Sequence, residues 1–122
     1  MLLRSLLGQH EDILVAAEVP DIRQALDISA TAYPDAVVLS DAVASAEAIQ
    51  AIRMRAGAAR IIVLGTYRQN VLTHLADGAD EWVLKDQAAG LLGDCIRRVV
   101  HGPRPPHGGE PRDRETRFPA DP

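Results

Sequence analysis

Apolar residues follow two rhythms along this chain. Short runs at Ile13 to Val19, Ala36 to Ser40, Arg60 to Leu64 and Glu81 to Leu84 are rich in β-branched or aromatic side chains, the composition of strands. The second and third, AVVL and IIVL, are apolar at every position, so both faces of each strand need covering, as in a parallel sheet flanked by helices. Between these runs, Leu2 to Gln9, Ile22 to Ala32, Ala46 to Arg55, Asn70 to Ala76 and Ala88 to Val100 repeat at helical spacing. The alternation predicts an α/β domain with a doubly wound parallel sheet. Local signals agree: Asp21 with Gln24 three positions on reads as a helix start, and Gly78 stands where a left-handed residue ends the fourth helix. In the last helix Leu91, Leu92, Cys95, Ile96 and Val99 share one stripe, which makes Cys95 a small core residue instead of a reactive thiol.

The rhythm stops at Gly102. Residues 103–122 hold Pro103, Pro105, Pro106, Pro111, Pro119 and Pro122 and almost no apolar side chains, so the chain divides into a folded unit over 1–102 and a disordered Pro/Arg-rich tail over 103–122. Arg104, Arg112, Arg114 and Arg117 in that tail are offset by Glu110, Asp113, Glu115 and Asp121, which argues against a nucleic-acid arm.

Composition then removes function classes. A net charge of -4 over 122 residues offers no basic patch for a run of phosphates, so direct nucleic-acid binding is disfavoured. With one cysteine no internal disulfide forms, and a reducing cytoplasm suits the chain. The apolar start, Met1 to Leu7, falls far short of the ~20 residues a membrane span needs, and it lacks a cleavage site. His10, His74, His101 and His107 are dispersed at spacings that suit no metal face, and read as solvated helix or tail histidines. No Ser/His/Asp set, HExxH or glycine-rich phosphate loop is present, so neither an enzyme, a cofactor nor a metal is expected.

Six segments in order resemble the receiver (CheY-like) domain of two-component response regulators, the LuxR-type group above all. They are Leu3 to Leu7, Asp12 to Glu18, Pro34 to Leu39, Arg60 to Leu64, Val71 to Ala79 and Trp82 to Asp86. The resemblance implies the flavodoxin-like strand order 2-1-3-4-5 and phosphoryl transfer from a histidine kinase to an aspartate ending the third strand. In the family Mg²⁺ is held there by that aspartate and by an acidic pair ending the first strand. Matched residue by residue, the phospho-acceptor position falls on Ser40, whose hydroxyl cannot form an acyl phosphate or lend charge to a divalent cation. Asp41 is the alternative acceptor, although alternation along a strand turns it away from where Ser40 points. The Thr/Ser after the fourth strand falls on Gly65, with Thr66 next, and Lys85 alone matches the family's lysine. Trp82 takes the place of an aromatic that, in the family, swings inward upon activation.

No segment matches the family's first strand. Loss of about five buried apolar residues at the sheet centre removes ~7 to 15 kcal/mol, the net stability of a typical domain. Three remedies follow: a true start upstream, since Met1 falls within the expected first helix; a second strand that shifts to pair with the third; or a strand donated by a partner. The expectation is an atypical, non-phosphorylatable receiver-like signalling module working by protein-protein association through Trp82, Leu91, Leu92, Ile96 and Val99. Its partner would be another copy or another response regulator. A truncated transcriptional response regulator that lost its DNA-binding half is the alternative, and a non-functional fragment is a third.

Overall fold

The computed structural model describes residues 7–102. Among the described residues, four helices and three strands follow one another as α1 (Ile22–Ala32), β1 (Ala36–Ser40), α2 (Ala46–Arg55), β2 (Arg60–Gly65), α3 (Val71–Ala76), β3 (Glu81–Leu84) and α4 (Ala88–His101). The strands form one parallel sheet in the order β1-β2-β3, with Val38 opposite Ile62 and Val63 opposite Trp82. Short 3-10 turns at Arg68–Asn70 and Lys85–Gln87 lead into α3 and α4.

Each boundary has a local cause. Asp21 accepts a hydrogen bond from the Gln24 amide at 2.9 Å and so satisfies one of the free N–H groups that open α1. Tyr33 closes the same helix in the left-handed region (φ 50°), and Pro34 prevents its resumption. Ser45 caps α2 through the Ala48 amide at 3.0 Å. Gly78, at φ 116°, supplies the left-handed residue after α3 that its position in the sequence predicts.

β2 is the centre of the core. Its side chains alternate, with Ile62 and Leu64 packing with Leu7, Val83, Leu92 and Cys95 under α4, and Ile61 and Val63 packing with Leu39, Ile49 and Ile52 under α2. Ile61, Ile62, Val63 and Leu64 are all buried, each contributing about 1.5–3 kcal/mol. Arg60 at the start of β2 donates to the carbonyls of Val99 (2.8 Å) and Gly102 (3.2 Å), closing the C-terminal end of α4. Cys95 is buried and free, and burial, with Glu81 adding to it, pushes its thiol up to about 11, as befits a core residue.

Three expectations are corrected. Residues 13–19 form no strand, so the second strand neither pairs with β1 nor joins the sheet. Its anticipated neighbour, the family's first strand, is not matched in this chain; Ile13 and Val15 instead bury against the α4 side of the core, while Leu14 between them is 89% exposed. The in-out alternation of a strand survives without a ladder. His74 is not solvated but buried. Of the proposed stripe on α4, Leu92 is fully buried and Ile96 and Val99 pack against the core, leaving Leu91 as its exposed member. Most of the expected first helix, the proline-rich tail and His107 lie outside the described residues.

Residues 7–15 are held down by a polar clasp. Arg97 on α4 donates to both Asp12 oxygens (2.7 and 3.0 Å) and to Asp94 (2.8 Å), and lies 2.7 Å from His10 Nδ1. The Arg97 hydrogen bond holds the exposed Asp12 carboxyl down at about 2. Nothing in the spacing of His10, Asp12 and Arg97 had marked them as neighbours.

Candidate functional site

The C-terminal ends of three parallel strands converge on one rim, where the backbone leaves the sheet and side chains become free for binding. Ser40 ends β1, Gly65 ends β2, and Lys85 follows β3. The ladder runs one residue past β1: the Asp41 amide donates to the Leu64 carbonyl at 2.8 Å. There the chain turns, with the Val43 amide bonding the Ser40 carbonyl at 3.0 Å.

That turn decides which side chain faces the rim. Alternation governs an extended strand, and Asp41 lies just beyond it. Its carboxylate therefore does not point away: Oδ2 accepts from the Thr66 amide at 2.8 Å and Oδ1 stands 3.9 Å from Lys85 Nζ. Ser40 takes another role, its Oγ receiving the Ala42 amide at 3.4 Å, a long bond internal to the turn. The expectation that Asp41 faces away from the site is thus corrected, and Asp41, Thr66 and Lys85 form the constellation. The Asp41 side chain is 15% exposed and that of Lys85 39%, so the carboxylate is largely shielded and the lysine reaches water.

A divalent cation does not fit what is present. Asp41 brings one carboxylate, already matched to a cation and an amide donor, and no three His, Cys, Asp or Glu side chains converge among the described residues. Mg²⁺ usually needs one or two carboxylates free to bind it, together with waters or phosphate oxygens.

Gly65 is buried, and Trp82 lies directly over it: a Cβ on residue 65 would fall within the indole. Val63 and Trp82 are opposed in the β2–β3 register, so residue 65, two positions on, shares their face and the ring leans diagonally across it. The indole packs against the α2 side of the core, and its Nε1 is buried with no hydrogen-bond partner. Exposed apolar side chains flank β3 on two sides: Tyr67, Leu72 and Leu75 on or before α3, and Leu91 on α4.

Against solved structures, the chain matches the crystal structure of a two-component response regulator of the LuxR family from Aurantimonas sp. SI85-9A1. The TM-score is 0.73 and the identity 27%, over 84% of this chain and 76% of that one. It also matches the response regulator domain of Thermotoga maritima CheB, with a TM-score of 0.70 at 19% identity over 83% of this chain and 87% of that one. No protein-family model matches the sequence, and no curated protein does. The chain has the receiver-domain fold of response regulators, with the parallel α/β sheet that its hydrophobic pattern predicts. No helix among the described residues is long and apolar enough to cross a membrane.

Proposed function

We propose that this chain is a receiver-like signalling module that acts by protein association and carries out no phosphoryl transfer. The observation that carries the reading is the state of the rim. Its acceptor position is a serine engaged in its own turn, its hydroxyl-bearing position is Gly65, and its carboxylate, Asp41, is occupied by Thr66 and Lys85. What remains for recognition is surface. Leu72 (78% exposed), Leu75 and Leu91 border β3 from α3 and α4, where a protein partner, another response regulator or a second copy, finds apolar side chains without a buried charge to desolvate. No catalytic role is assigned, and a cytoplasmic setting accords with the free, buried Cys95.

One observation favours a second reading, in which Asp41 itself accepts phosphate: it meets Lys85, the family's retained lysine, across the rim. Incubation of the full chain with acetyl phosphate and Mg²⁺, followed by intact mass measurement, separates the two. The association reading expects no added phosphoryl group. A phosphoryl addition that is labile to both acid and alkali, is cleaved by hydroxylamine and disappears in Asp41→Asn would establish the second reading instead.

A further inference from the structure

We propose that Gly65 locks the Trp82 indole inward, so that the ring stays packed over residue 65, half-buried, whatever the charge at Asp41. The inference rests on the reading above, a module with one constitutive surface, and deepens it by naming the residue that fixes that surface. Among the described glycines the positive φ belongs to Gly78, so Gly65, in β2, is not there for backbone freedom. What it supplies is volume. The atoms that a Cβ would strike are Cζ2, Cε2 and Nε1, all in the rigid bicyclic ring, and a ring relieves such a clash only by rotating about χ1 or χ2. The indole thus stands where the side chain of residue 65 would be.

The consequence follows from competition for one space. Asp41 is joined to the end of β2 through the Thr66 amide, one residue beyond Gly65. A change at Asp41 can evict the ring only by driving some group into its place, and residue 65 has no side chain to drive. The indole also rests on the core packed beneath α2, so leaving it would expose a large apolar surface. Its unpartnered Nε1 is an opposing cost, which the packing of the ring has to outweigh. The indole is consequently held in one half-buried position, and a partner on this face meets Leu72, Leu75 and Leu91 beside it.

Trp82 is the single tryptophan, so its emission reports this one site. The full chain, Gly65→Ala and Asp41→Asn would be compared by acrylamide quenching and emission maximum, with far-ultraviolet circular dichroism as the check on folding. Gly65→Ala is expected to raise the quenching constant several-fold and shift emission to the red, while Asp41→Asn leaves both unchanged. A protected indole in folded Gly65→Ala, or an exposed one in Asp41→Asn, would overturn the lock. Should Gly65→Ala fail to fold, the double variant Gly65→Ala with Trp82→Leu should recover the native spectrum; failure to recover would also overturn it. These readouts are independent of the phosphoryl mass shift, so the lock and the association reading fail separately.

Discussion

Each end of the sheet holds an aspartate paired with a cation, and the two pairs are built for opposite purposes. At the end where β2 and β3 begin, Asp80 is 1% exposed at its side chain, receives Arg53 at 3.0 Å and the Ile61 amide at 2.7 Å, and is surrounded by bonds from the same arginine to the Ala59 and Gly78 carbonyls. At the end where the strands finish, Asp41 and Lys85 stand 3.9 Å apart with the lysine well exposed. A saturated buried pair fixes geometry, and a long pair whose lysine is solvated contributes little to stability. The first end is scaffold and the second is surface.

The sharpest break in this comparison comes from truncation at the buried end. Asp80→Ala leaves Arg53 without its partner and the Ile61 amide unbonded, and should cost about 3–5 kcal/mol in denaturant melting. At the rim, Asp41→Ala should cost about 1–2 kcal/mol, since it removes a long ion pair to a well-exposed lysine and one amide bond. Equal losses from the two substitutions would erase the distinction. Cys95 offers a kinetic version: its thiol, raised to about 11 and buried, should react with an alkylating reagent at neutral pH only through opening of the fold. Labelling should accelerate strongly in Asp80→Ala and much less in Asp41→Ala.

The smallest effect belongs to a third pair, the clasp of Asp12 and Arg97. The folded Asp12 carboxyl titrates at about 2, below its ordinary 3.8, so its contribution is complete above about pH 4 and is lost as pH falls through 2. Protection of the Ile13 and Val15 amides, taken relative to their intrinsic exchange rates, should fall in that interval before protection in β2 does. Simultaneous release of both would show that residues 7–15 are integral to the core and not a clasped appendage.

Periodic features were legible from the chain because burial imposes them locally. Asp21 with Gln24, Gly78, and the doubly apolar β2 each carry their cause within a few residues. What depended on distant neighbours was not. The strand pattern of residues 13–19 was real in its alternation, yet a ladder requires an adjacent strand, which no local pattern supplies. The direction of Asp41 turned on where β1 ends, a matter of one residue. Arg53 and Asp80 lie 27 positions apart, joined only once β2 and β3 are side by side; the weak hint was an aspartate standing just ahead of an apolar strand. The opening of residue 65 to an indole was likewise invisible, because a glycine that ends a strand looks the same whether its empty space is filled or not.

Arg60 gives the molecule a mechanical character. Its guanidinium fastens the carbonyls of Val99 and Gly102 to the first residue of β2. A pull applied to the chain beyond Gly102 is therefore divided at that point, part stretching the last turn of α4 and part borne by the middle strand, sheared along its own length against β1 and β3. Parallel strands loaded in shear resist together, bond beside bond, whereas a helix end loaded alone unravels one turn at a time. Replacing Arg60 by alanine would convert the first kind of anchorage into the second, and single-molecule stretching from the C-terminal side would register the change as a lower rupture force.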